Sequence, residues 1–203
     1  MKPTLVVALS FIAFLTNLPL TFSVDQVRDI RGNGVFPGLK YNIFPAFGSK
    51  NSGGGLKLAE TGLSNCPLTL MQNPSRQAHN LTMRMIIPGI STGIIFTGTR
   101  IVIKVIDTPP PCAASPDWLV YLDPETNKAG LGIGGPEGHP GQTIFNGTFH
   151  IEESDHGYRF VFCVDGLQAC SDVGLLDPRK GEDGRRLNLT RTEPFEFEFI
   201  ETV

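Results

Sequence analysis

Asn65-Cys66-Pro67-Leu68-Thr69-Leu70-Met71-Gln72 is the stretch on which the reading of this chain turns. A cysteine and a proline lead straight into a short β-rich run, residues 68–72. Working outward, runs of the same kind recur at 40–44, 56–58, 82–87, 93–96, 101–105, 118–122, 148–152, 158–163, 173–175, 185–189 and 195–200. Helical periodicity is nearly absent. The 23 glycines and 16 prolines are scattered, so any long helix would be broken repeatedly. Ile101, Ile103 and Val105 alternate, as do Phe195, Phe197 and Phe199, and a period of two marks a half-buried strand. Glu196 and Glu198 are then expected to point to water. Twelve short strands with intervening turns mean an all-β barrel or sandwich with essentially no helix. Composition does not choose between the two, and no clear internal repeat is visible.

The ends and the composition bound the class. Met1-Lys2, an apolar run from Leu5 to Leu15 and then Thr21-Phe22-Ser23 read as a secretory signal peptide over 1–23. Asn17, Pro19 and Thr21 interrupt the apolar run before it reaches bilayer-spanning length, so no membrane partner is expected. One domain, 24–203, follows, and it is long enough for a real core. The formal net charge of −3 becomes −4 when Lys2 is lost, which argues against general affinity for nucleic acid. Four cysteines, Cys66, Cys112, Cys163 and Cys170, read as two disulfides in a secreted chain, with proximity favouring Cys163–Cys170. Asn80-Leu81-Thr82, Asn146-Gly147-Thr148 and Asn188-Leu189-Thr190 are glycosylation sequons, and at least one is expected to carry glycan. Asn188 is the weakest of the three because it falls in a strand-like run.

The opening stretch, together with Tyr41-Asn42-Ile43-Phe44-Pro45-Ala46, Gly53-Gly54-Gly55 and Phe160-Val161-Phe162-Cys163, resembles the plant Kunitz protease inhibitors of the soybean trypsin inhibitor type. Val27-Arg28-Asp29, Cys170-Ser171-Asp172-Val173-Gly174, Arg185-Arg186-Leu187 and Pro194-Phe195 extend the likeness over the whole domain. The resemblance implies a β-trefoil of three four-strand units and the pairing Cys66–Cys112 with Cys163–Cys170. It also implies a substrate-like reactive loop that enters a protease cleft already ordered, so that little entropy is lost on binding. That loop falls here at Pro88-Gly89-Ile90-Ser91-Thr92-Gly93. Alignment from Pro88 puts Ile90 in the position that fills the main specificity pocket; alignment back from Ile95 and Lys104 puts Ser91 there. Neither is basic, which points away from trypsin and toward proteases with apolar or small pockets, or toward papain-like cysteine proteases. Pro37 occupies the position where the family's inhibitors carry a loop-stiffening asparagine, and proline has no side-chain donor. Gly89 and Gly93 flank the bond and raise the entropy lost on fixing the loop. Arg84, in Met83-Arg84-Met85, is the alternative reactive residue, and Arg76 is a further arginine in a turn.

Other constellations carry less. Gly130-Leu131-Gly132-Ile133-Gly134-Gly135 is followed by Pro136 and Pro140 rather than by a helix, so it reads as a turn-rich β-connection and not a phosphate cradle. His139, His150 and His156, with Glu152, Glu153 and Asp155, match no metal-site spacing. No serine sits in a G-x-S-x-G elbow and every cysteine is expected to be paired, so neither an enzyme nor a cofactor is indicated. The leading expectation is a secreted or vacuolar monomer that inhibits serine or papain-like cysteine proteases. The alternative is a non-inhibitory binding, storage or stress protein, pigment binding included, on the same fold.

Overall fold

The computed structural model describes residues 24–202, apart from 63–65, 91, 108–110 and 168. The signal segment read at 1–23 lies outside the described residues.

Alternation of large apolar and polar side chains builds three successive units. The first holds β1 (Lys40–Pro45), β2 (Leu56–Ala59), β3 (Thr69–Gln72) and β4 (Thr82–Ile86). The second holds β5 (Val102–Val105), β6 (Leu119–Asp123), β7 (Lys128–Gly132), the two-residue β8 (Ile144–Phe145) and β9 (Gly147–Ser154). The third holds β10 (Gly157–Val164), β11 (Cys170–Leu175), β12 (Arg185–Thr190) and β13 (Phe197–Glu201). A single 3-10 turn, Pro136–Gly138, is the only helical element among the described residues.

Six strands close a barrel. β1 pairs with β4 and β13, β4 with β5, β9 with β10, and β10 with β13, all antiparallel. The ring is completed just before β5, where the Ile101 N–H donates to the Phe149 carbonyl at 2.9 Å and the Gly98 N–H to Ile151 at 2.9 Å. Two seams are therefore thin. The β5–β9 contact is a bridge at Ile101, and β10 meets β13 in register only at Tyr158–Phe197. The remaining hairpins, β2–β3, β6–β7 and β11–β12, cap one end of the barrel. Their inner strands meet one another in a triangle: Arg185 opposite Gln72, Asn188 opposite Gly130, and Thr69 opposite Gly132. Barrel plus triangular cap is the β-trefoil.

The barrel interior follows from the period of two. Tyr41 and Ile43, Met83 and Met85, Ile103 and Val105, Phe149 and Ile151, Phe160 and Phe162, and Phe197 and Phe199 come from its six strands, and all are buried. Aliphatic and thioether side chains fill the β4–β5 side, whereas rings crowd β9, β10 and β13. Phe160 and Phe197 lie 4.3 Å apart between centroids, and Trp118 packs edge-on against Phe149 at 5.9 Å and Phe160 at 5.4 Å. Such pairs add to area burial because ring edge and ring face carry opposite partial charge.

Thirteen strands stand where twelve were expected. Residues 93–96 do not form one; only Phe96 makes a bridge, to Gln26. β7 and β8 are additional. The glycine run expected to be a connection is in fact strand through Gly132, because β7 lies in the crowded cap. A Cβ on Gly132 would stand 2.6 Å from the Leu68 carbonyl oxygen and 3.1 Å from the Tyr121 ring. Glu196 also departs from expectation. It does not point to water but accepts hydrogen bonds from the Ser154 hydroxyl and, at 3.0 Å, from His156 Nδ1.

Candidate functional site: the loop after β4

The chain leaves β4 through Ile87, which is buried, and turns at once. The Ile90 N–H donates to the Ile87 carbonyl at 3.1 Å, with Pro88 second and Gly89 third in the turn. Gly89 has φ 77°, and a proline followed by a glycine of positive φ is the type II pattern. The glycine anticipated as a source of looseness is thus what lets the turn close. Pro88 and Gly89 are exposed, and Ile90 is 52% exposed. Ser91, the other candidate for the pocket-filling position, lies outside the described residues. Thr92 and Gly93 are exposed, and Gly93 has φ 136°.

The return limb is anchored rather than free. Ile95 is fully buried; its N–H donates to Val35 and its carbonyl accepts from Val27, both at 2.9 Å. Val27 and Val35 belong to the first loop, which Asp29 organises. The Asp29 carboxylate accepts from the Arg31 and Asn33 amides at 2.9 and 2.8 Å. On the far side of this loop the Phe36 N–H donates to the Tyr41 hydroxyl at 3.0 Å, and the Gly38 N–H donates to Met85 at 2.8 Å. Burial raises the Tyr41 pKa, so its phenol stays a neutral oxygen that can accept. Pro37 therefore sits between two tethered neighbours. The backbone, Asp29 and Tyr41 carry out the tethering for which the sequence offered no asparagine. The local signal was there in Asp29 followed by Gly32-Asn33-Gly34, a turn-forming pattern in which an aspartate bonds backbone amides ahead of it.

The two arginines occupy different settings. Arg84 is held in β4, opposite Lys40 on β1 and Lys104 on β5, with its side chain half-buried on the sheet. No loop presents it, so the geometry of a reactive residue is missing there. Arg76 is exposed in the β3–β4 connection, where its guanidinium lies 3.4 Å from the Pro45 carbonyl.

The remaining residues singled out in the sequence separate in space. Cys66 pairs with Cys112 and Cys163 with Cys170, the pairing that the resemblance implied. His139 is buried against the Ile133 carbonyl, His150 contacts the Gly98 carbonyl, and His156 pairs with Glu196. Among the described residues no group of His, Cys, Asp or Glu is placed to hold a metal ion. The three sequons differ sharply. Asn146 is exposed, Asn80 is half-buried, and Asn188 is 4% exposed within β12.

The family model described as "Trypsin and protease inhibitor", that of the legume Kunitz proteins, matches residues 27–201. The chain belongs to this Kunitz family. A Kunitz-type trypsin inhibitor-like 1 protein of Pisum sativum is 47% identical over 99% of this chain and 94% of its own length. Subtilisin inhibitor CLSI-II of Canavalia lineata is 39% identical over 88% of this chain and 93% of its own. The crystal structure of a Kunitz type trypsin inhibitor from Cicer arietinum superposes with a TM-score of 0.82 at 46% identity, covering 89% of this chain and 100% of that one. These Kunitz relatives are named as inhibitors, not as enzymes, and their likeness spans barrel, cap and candidate loop together.

Proposed function

We propose that this Kunitz protein inhibits serine endopeptidases whose specificity pockets accept apolar side chains, with the 88–93 loop as the reactive loop and Ile90 as the pocket-filling residue. The observation that carries the reading is Ile90, half-exposed at the end of a hydrogen-bonded turn whose two limbs are tied to the barrel and the first loop. A turn already closed by its own hydrogen bond loses less entropy on binding. An aliphatic side chain gains nothing from the carboxylate at the base of a trypsin-type pocket. The printed name of the Canavalia relative, a subtilisin inhibitor, is in keeping with an apolar target. In this reading the protein is secreted or vacuolar and acts as a monomer.

The test is a titration of the refolded 24–203 chain against subtilisin, elastase, chymotrypsin, trypsin and papain, followed by mapping of any cleavage. Tight one-to-one inhibition of subtilisin or elastase, slow cleavage after Ile90 and weak action on trypsin are expected. Inhibition of papain alone would transfer the reading to cysteine proteases. Rapid cleavage without inhibition, or no effect on any of the five, would overturn it.

A further inference from the structure

We infer that, of the three sequons, Asn146 alone carries an N-linked glycan in the folded protein. The setting of each Asn side chain in the folded chain decides this, whichever protease is inhibited.

Asn188 belongs to the triangular cap. It lies opposite Gly130 on β7 and Gly174 on β11, and its Nδ2 donates to the Leu189 carbonyl at 2.8 Å. With the residue 4% exposed in a cap packed as tightly as an organic crystal, a sugar on this side chain has no room. A chain glycosylated there cannot close its cap. Asn80 is engaged at both ends of its amide. Nδ2 donates to the Ala78 carbonyl at 2.8 Å, and Oδ1 accepts from Asn73 Nδ2 at 3.0 Å. It also presses against β2's approach, for a Cβ built on Gly55 would stand 2.7 Å from Asn80 Oδ1. Fixed at Oδ1 in this way, the half-buried amide would have to leave Asn73 and Gly55 before a sugar on Nδ2 could stand in water.

Asn146 has neither obstacle. It is exposed at the corner between β8 and β9, and its structural contribution comes from the backbone, whose carbonyl accepts from the Asp165 N–H at 3.0 Å. Its side chain is left to solvent. Asp165 opens the turn that carries Leu167, an aliphatic side chain 63% exposed and a neighbour that the inner sugars of an Asn146 glycan would shield. The position also suits an inhibitor. Residues 98–101, which lead back to the candidate loop, pair with Ile151 and Phe149 and run away from the Asn146 end of β9. Asn146 lies beyond the end of β9 that this segment leaves behind.

The chemistry is that of a secretory-pathway transferase acting on a lipid-linked oligosaccharide diphosphate. The Asn146 Nδ2 attacks the anomeric carbon and a C–N bond forms. The C–O bond to the diphosphate breaks, the lipid diphosphate leaves, and the amide gives up one proton to the transferase base.

The experiment is expression of the full chain through the secretory pathway of a plant or yeast host, followed by enzymatic release of N-glycans and peptide mapping of the folded, secreted product. The expected result is one glycan per chain, with conversion to Asp on release at Asn146 only, and loss of all glycan in Asn146→Gln with inhibition unchanged. Secreted, folded protein that is unmodified at Asn146, or that carries glycan at Asn80 or Asn188, would overturn the inference. Asn80→Gln and Asn188→Gln are expected to leave the glycan mass unchanged. A shift in either would overturn it equally.

Discussion

At the scale of single residues, Ile90 is where sequence meets function. Its side chain is half in solvent, so substitution there should leave stability within about 0.5 kcal/mol of wild type. Ile90→Arg should strengthen trypsin inhibition by roughly 100-fold or more, because a pocket-filling residue dominates partner choice, and should weaken inhibition of subtilisin. Inhibition constants for both enzymes check this, and unchanged values for both would place the scissile bond elsewhere. Arg186 is the opposite kind of residue. It is 5% exposed, and its guanidinium meets Asp123 at 2.6 Å, Glu125 at 2.6 Å and Glu182 at 2.5 Å. Burial alone would lower its pKa, but the three carboxylates outweigh that and hold the charge more firmly than usual. Arg186→Met leaves Asp123 buried without its cation and should cost about 3–5 kcal/mol in a urea titration. Glu196 supplies a pH signature. Burial works to raise its pKa, yet hydrogen bonds from Ser154 and His156 prevail and hold it below its ordinary value of 4.5. A depressed carboxyl contributes stability above its unfolded pKa and loses it as pH falls through the folded value. Glu196→Gln should therefore lower stability at neutral pH and flatten the further loss below about pH 4.5, as thermal melts from neutral into the acid range would show.

At the scale of elements, two features set apart what the sequence allowed from what it concealed. The runs at 101–105 and 195–200 were legible because alternation is a local property, and the residues it nominated are buried in β5 and β13 or, for Ile101 and Phe195, just before them. β7 was concealed because its glycines answer to neighbours far along the chain. Only the folded cap brings the Leu68 carbonyl and the Tyr121 ring over Gly132. Gly132→Ala should accordingly destabilise the protein more than an ordinary strand substitution, by about 1–3 kcal/mol, because the atom it meets is backbone and cannot swing aside. The disulfides act on different scales. Cys66–Cys112 spans 46 residues and ties the β2–β3 connection to the segment before β6, whereas Cys163–Cys170 spans 7 and closes one hairpin. Loop-closure entropy assigns about 4 kcal/mol to the long bridge and about 2.5 to the short one. Replacing each pair by serines and comparing denaturation midpoints should reproduce that order. The support of the candidate loop was only half legible. Asp29 with Gly32-Asn33-Gly34 announced the turn of the first loop, and Pro37 a missing side-chain donor, but nothing local to residue 37 revealed that Tyr41 would hold Phe36.

At the scale of the molecule, the family likeness made the trefoil readable from scattered motifs, while the absence of an internal repeat hid its threefold character. That character resides in how β3, β7 and β12 meet, not in which residues they carry. The same view shows where the barrel is least knitted. Between β5 and β9, and again between β10 and β13, a few backbone bonds stand where the other neighbouring pairs have ladders, and rings fill the difference. The β9–β10 hairpin is thus a panel laddered to β11 at Val161–Cys163 but joined to the rest of the barrel chiefly by Phe149, Phe160 and Phe197, with Trp118, the chain's single tryptophan, pressed against the first two. Side-chain packing loosens with small displacements, whereas ladders open cooperatively. The panel should be the first part to swing. Amide hydrogen exchange should be fastest, among the barrel amides, at Gly98 and Ile101, and the tryptophan emission should shift at lower denaturant than the far-ultraviolet signal. Coincident transitions would instead mean that rings and a few backbone bonds can latch a barrel as firmly as a continuous ladder.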